Sequence, residues 1–179
     1  MVASAGGASI GNPYPCRATP APHYFIESTG PCMNPPASAD DFGYFFDIAT
    51  RWSDLDSLGH VNNARFFTFD ESARLDYFGE LMHGDPEFWQ SKGFILAHIG
   101  CDFIAQLHHP ARLRIGFRIS RLGRSSMDTQ SAMFDGERLV AVTRGVLVWF
   151  NYREQKTAPI PDDVRALIRA REKIPPDEG

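Results

Sequence analysis

Arg51-Trp52-Ser53-Asp54-Leu55-Asp56-Ser57-Leu58-Gly59-His60-Val61-Asn62-Asn63 joins two segments of different texture, and its reading orders everything around it. Upstream, Tyr44 to Trp52 is aromatic and β-branched, the composition of a strand. Downstream, Asn62 to Glu80 carries Phe66, Phe69 or Asp70, Ala73 and Tyr77 three or four residues apart, with Phe67, Arg74 and Phe78 on a neighbouring row. That spacing is helical. Asn62 or Asn63 can cap its start and Gly79 its end. Apolar residues cover most of the circumference, so the helix is expected to be largely buried. The loop Ser53 to Gly59 therefore delivers the chain from a strand into a helix N-terminus.

Beyond a polar connection, His83 to Gly93, the chain turns β for some sixty residues. Phe94 to Leu107 reads as a strand, with Pro110 ending the connection after it. Residues 112–120 alternate, with Leu113, Ile115, Phe117 and Ile119 on one side and Arg112, Arg114, Arg118 and Ser120 on the other. This is a half-buried strand with a basic outer face. Leu122-Gly123-Arg124 turns the chain, Ser126 to Phe134 returns, and Asp135-Gly136 is a two-residue hairpin signal before the long apolar strand Leu139 to Tyr152. Pro161 to Lys173 reads as a short helix with Val164, Leu167 and Ile168 on one face, stopped by Ile174-Pro175-Pro176. The order predicts an α+β domain: a curved antiparallel sheet wrapped around one long central helix, with a short C-terminal helix. One sheet covers only part of such a helix, and the remaining apolar surface predicts a dimer.

The 179 residues suit one domain. Residues 1–40 hold seven of the 13 prolines but only three charged residues, Arg17, Glu27 and Asp40, a composition that builds neither a helix nor a central strand. We read them as a disordered or mis-annotated leader, with Met33 as an alternative start, followed by a domain over residues 41–155 and a C-terminal helix and tail over 156–179. The leader lacks the basic start and apolar run of a secretory signal. A net charge of -4 provides no basic field for nucleic acid or an anionic membrane. No apolar run approaches the roughly 18 residues of a spanning helix. Cys16, Cys32 and Cys101 match no zinc or disulfide pattern, which fits a reducing cytoplasm, and Cys101 reads as a small buried hydrophobe.

The chemistry lies in the opening loop. Asp54 and Asp56 stand just upstream of a helix N-terminus, whose free N–H groups and dipole favour negative charge. A carboxylate beside such donors is a hydrolytic layout, in which one group handles water or attacks and the others stabilise a developing oxyanion. The plainer reading makes both aspartates cap and turn residues.

The stretch R-W-S-D-L-D-S-L-G-H-V-N-N, followed by A-R-F-F-T-F-D-E-S-A-R-L-D-Y-F, resembles the opening of the hot-dog-fold acyl-thioesterases of the 4-hydroxybenzoyl-CoA thioesterase family. It is similar also to the D-L-D-x-x-x-H-V-N-N segment of plant acyl-ACP thioesterases. The likeness runs over roughly residues 43–152. It implies that Asp56, in Asp56-Ser57-Leu58-Gly59-His60-Val61, acts as nucleophile or general base on an acyl-CoA thioester. The helix N-terminal amide, by position Asn63, would hold the carbonyl oxygen, His60 would assist, and Gly59 and Val61 would meet the substrate. Asp54 reads as structural. The chain departs from the acyl-ACP enzymes at Leu58, where they carry Asn, which weakens the case for His60. A second branch of the fold places its carboxylate seven residues past the amide donor. Here that position holds Asp70, with Glu71 beside it, and these two are the runners-up.

His98, His108 and His109 do not share metal-ligand spacing with His60 or a cysteine, so neither a metal nor a cofactor is expected. For the phosphates of coenzyme A the candidates are Arg118, Arg121 and Arg124, with Arg112 and Arg114, around one hairpin. The expected protein is a cytoplasmic acyl-CoA hydrolase, a homodimer or homotetramer with active sites at the subunit interface and no nucleic-acid or membrane partner. The alternative is a non-catalytic acyl-thioester-binding protein of the same fold. A hydratase ranks last, for want of its motif.

Overall fold

The computed structural model describes residues 37–83, 85 and 87–178. Five long or medium strands, β1 (Tyr44–Ala49), β2 (Lys92–Phe103), β3 (Arg112–Leu122), β4 (Ser126–Asp135) and β5 (Arg138–Asn151), form an antiparallel sheet in the order β1-β3-β4-β5-β2. The sheet curls around helix α1 (Asn63–Leu81). Two short strands lie off this path: β6 (Lys156–Thr157) pairs antiparallel with the end of β5, and β7 (Asp177–Glu178), which follows helix α2 (Asp162–Arg171), runs parallel to β3. Among the described residues no helix is long and apolar enough to cross a membrane. The expected α+β architecture is the one observed.

The alternation in β3 works as read: Leu113, Ile115, Phe117 and Ile119 are buried under α1, and their neighbours face outward. Gly116 lies on the outer face, where a Cβ would stand 2.5 Å from the Phe42 ring, so only glycine admits Phe42 there. With Ala37, Ala132, Phe134 and Val142, Phe42 forms a small apolar cluster on the convex side. Packed structure therefore begins before residue 41. The rest of the leader, with Cys16, Cys32 and Met33, lies outside the described residues. At the other end, Ile160, Val164 and Ile168 join the main core, so the segment that carries them packs on the domain rather than trailing from it. Leu167, expected on the buried face, is instead 44% exposed.

Several boundaries move. β1 stops at Ala49, and Trp52–Asp54 is a 3-10 turn with Trp52 exposed. Gly79 lies inside α1, which runs on to Leu81, because the buried Met82 brings the last turn onto the core and its N–H reaches Phe78 O at 2.9 Å. Asp135 pairs with Arg138, so the hairpin loop is Gly136-Glu137, one residue further on, with Gly136 at φ +63. β2 does not neighbour β3: it crosses over to the far edge and pairs with β5.

Asp70 fixes α1 to the concave face. Its Oδ1 accepts hydrogen bonds from Ser131 Oγ at 2.5 Å and Thr143 Oγ1 at 2.6 Å, on adjacent strands, while Oδ2 receives Arg74 at 2.8 Å. A buried charge needs such partners. At the C-terminal end, Glu172 accepts from Tyr77 Oη at 2.7 Å and from Ile119 N–H at 2.8 Å. The Arg171 guanidinium lies 4.9 Å from both the Tyr44 and Tyr77 rings.

Candidate active site

The loop after β1 is built by its own polar residues. Thr50 N–H donates to Ala111 O at 3.0 Å, which ends the strand beside the start of β3. The fully buried Asp54 carboxylate then accepts Arg51 N–H at 2.7 Å and pairs with Arg51 Nη2 at 3.3 Å and Arg65 Nε at 3.5 Å. Its carbonyl receives Asn62 N–H at 2.9 Å. Asp54 is thus the organiser of the loop, turned away from solvent.

Asp56 opens the next turn. Its N–H donates to His60 O at 2.8 Å, its carbonyl accepts Gly59 N–H at 3.1 Å, and Gly59 takes φ +77, a conformation that favours glycine. One carboxylate oxygen, Oδ1, accepts Leu58 N–H at 2.8 Å and His60 N–H at 3.1 Å. The side chain is anchored through that oxygen, while Oδ2 has no donor among the described residues. Val61 N–H then donates to Leu107 O at 2.8 Å, docking the turn on the segment between β2 and β3.

Asn62 caps α1, its Oδ1 accepting Ala64 N–H at 2.9 Å. The N–H of Asn63, the first helical residue, faces no acceptor among the described residues. Helix starts leave such donors free for an anion or oxyanion. Asp56, His60, Val61 and Asn63 line one cleft of about 380 Å³, whose apolar wall includes Phe66 and Phe103. Carboxylate, helix-start donor and apolar wall share a single concavity.

Comparison with known proteins bears on this arrangement. Residues 50–168 match the family model of the thioesterase-like superfamily. The chain is 32% identical to a thioesterase of Thermus thermophilus whose crystal structure holds coenzyme A and zinc, with a TM-score of 0.68 over 75% of this chain and 98% of that one. It is 30% identical to the PA5185 protein of Pseudomonas aeruginosa PAO1, with a TM-score of 0.67 over 74% and 94% of the two chains. The uncharacterized protein YsmA of Bacillus subtilis strain 168 is 31% identical over 87 residues, 48% of this chain and 57% of that protein, so the match spans little more than half of its length. This chain belongs to the thioesterase-like superfamily. Its fold is the hot-dog fold of the Thermus thermophilus thioesterase.

The remaining candidate residues lie elsewhere. Asp70 is buried with both oxygens engaged by Ser131, Thr143 and Arg74, and does not line the cleft. Glu71 is exposed 4.0 Å from Arg74, at a separate cavity of about 170 Å³ with Leu75, Trp89 and Leu96. Arg121 and Arg124 flank the β3–β4 turn, roughly 30 Å along the strand from the end that carries the cleft. Arg121 is occupied by Asp128 at 2.8 Å, and Arg118 reaches Ile174 O at 3.4 Å. Within one chain these three arginines are not brought to Asp56.

Cys101 is half-buried, and burial, with help from Asp102 and Asp70, pushes its thiol up to about 12, so it is no thiolate at neutral pH. Sequence reasoning missed the far wall of the cleft, Phe103 to Leu107, because a loop's tertiary neighbours leave no periodic signal. It also gave no role to His108, whose ring centroid lies 4.8 Å from that of His60.

Proposed function

We propose that this thioesterase hydrolyses acyl-CoA thioesters to a carboxylic acid and coenzyme A, with Asp56 as general base and the Asn63 N–H as oxyanion donor. The observation that carries this reading is the shared cleft: among the described residues Asp56 is anchored by one oxygen and has its other unpaired, beside a helix-start donor without an acceptor. Oδ2 takes a proton from water as the water oxygen attacks the thioester carbonyl. The carbonyl oxygen gains negative charge against Asn63 N–H. Collapse of the tetrahedral intermediate breaks the C–S bond and releases the thiolate, which recovers the proton from Asp56. His60 lines the same cleft, where its ring contacts the acyl or thiol portion. The coenzyme A held by the Thermus thermophilus relative supports that thiol as the leaving group.

The protein works as a homodimer built along β2. This strand is twelve residues long, among the described strands pairs only with β5, and presents Leu96 beside Leu75 of α1 with Ile95 on its opposite face, all more than a third exposed. A long apolar edge invites pairing with a second copy. The dimer places the cleft near a partner surface, which supplies the cations that one chain does not bring to Asp56. Thiol release from acetyl-, lauroyl-, palmitoyl- and benzoyl-CoA tests the activity: turnover of at least one is expected, and saturable binding of all four without turnover would instead make this an acyl-thioester-binding protein.

A further inference from the structure

The turn that holds Asp56 is gripped from outside the cleft by His108, and the grip reaches the carboxylate through a single peptide unit. His108 Nδ1 lies 3.2 Å from Gly59 O. A carbonyl oxygen only accepts, so Nδ1 carries the hydrogen and donates. The same peptide unit that presents Gly59 C=O presents, at its other end, the His60 N–H, and that N–H donates to Asp56 Oδ1 at 3.1 Å. The chain of contacts is therefore His108 Nδ1–H to Gly59 C=O, then His60 N–H to the Asp56 carboxylate.

We infer that His108 is a positioning residue for Asp56, acting through the Gly59–His60 peptide. Two physical effects follow from the geometry. A donor on the carbonyl polarises the amide and strengthens the bond its N–H makes, since hydrogen bonds in series reinforce one another. The grip also restrains a peptide whose first residue is a glycine at φ +77, the most freely rotating point of the turn. The His60 ring packs edge-on against His108, with centroids 4.8 Å apart, and so helps to hold the His108 ring in place. His108 itself is exposed and does not line the cleft, so its effect on turnover runs through the turn and not through contact with substrate. Val61 N–H on Leu107 O, at 2.8 Å, makes the adjoining residue a second clamp, and the pair Leu107-His108 aligns the loop on the sheet.

The inference rests on Asp56 being the working carboxylate, and the test keeps the two apart. His108→Leu removes the donor, while His108→Asn retains an N–H where Nδ1 stands. Thiol release from the fastest of the four acyl-CoA substrates is measured for both variants, with Asp56→Asn alongside and thermal unfolding of each. For His108→Leu, kcat is expected to fall about tenfold with KM within about twofold of wild type. His108→Asn should recover most of the loss. A wild-type kcat in His108→Leu, or an Asn variant as slow as the Leu variant, overturns the positioning role. Full activity in Asp56→Asn would instead overturn the assignment of Asp56 on which it rests.

Discussion

Asp70 of the central helix and Thr143 of β5 stand 2.6 Å apart, oxygen to oxygen, and Ser131 of β4 reaches the same carboxylate oxygen at 2.5 Å. These contacts fix both the rotation and the height of α1 in the curled sheet, and with them the place where the helix begins. Replacing Asp70 by Ala leaves Arg74 buried without its 2.8 Å partner and two hydroxyls without an acceptor. Breaking a buried ion pair from one side costs about 3 kcal/mol or more. Chemical denaturation of Asp70→Ala should show a loss of that size, and a variant within about 0.5 kcal/mol of wild type would remove Asp70 as the anchor.

Gly59 is the second structural test. No atom lies within 4 Å of where its Cβ would be, so Gly59→Ala meets no clash and suffers only the backbone strain of φ +77. That strain is about 1 kcal/mol. The turn should relax by rotating the Gly59–His60 peptide, which carries one of the two donors to Asp56. A small drop in stability with a disproportionate drop in kcat is therefore expected; unchanged kcat at reduced stability would show that the turn's geometry is not coupled to turnover.

Glu172 gives a pH signature. Burial raises its carboxyl above the ordinary range, against the lowering effects of Ile119 N–H, the Tyr77 hydroxyl, Arg118 and Arg171. The folded state then holds the proton more tightly than the unfolded chain does. Its contribution is fully present below the unfolded value of about 4.3 and is lost as pH rises through the folded value. Across that window the unfolding free energy of wild type should fall, and Glu172→Gln, which keeps an acceptor for both donors, should flatten the slope. Equal slopes in the two proteins would contradict the assignment.

Leu96→Asp tests the β2 edge. Leu96 is 38% exposed and lies with Leu75 around the smaller cavity, so a charge there opposes burial against a second copy. Light scattering should report a dimer for wild type and a mass shifted towards the monomer for the variant. A monomeric wild type, or a variant of unchanged mass, would rule out pairing through this edge.

Much of the architecture was legible from local pattern. The alternation in β3, the 3.6-residue rows of α1 and the Asn62 cap each act within a few residues, and each appears where it was read. The β2 crossover was not legible, since nothing local tells a strand which edge to join, and β7 depends wholly on tertiary docking beside Arg121 and Leu122. Asp56, His60, Val61 and Asn63 meet in one cleft because they are adjacent in sequence. The arginines cluster equally well in sequence, yet register carries Arg121 and Arg124 to the opposite end of the sheet. His108 was invisible for the complementary reason: 49 residues separate it from the Gly59 carbonyl it holds.

The role of Asp56 is open to one comparison of rates. Asp56→Asn preserves size and leaves an acceptor oxygen for the Leu58 and His60 N–H groups, but it cannot take a proton from water. Thiol release by Asp56→Asn, measured against wild type on the fastest acyl-CoA substrate, should be slower in kcat by about 10²-fold or more. A variant that retains wild-type kcat would show that the carboxylate in the helix-start cleft does not carry the reaction.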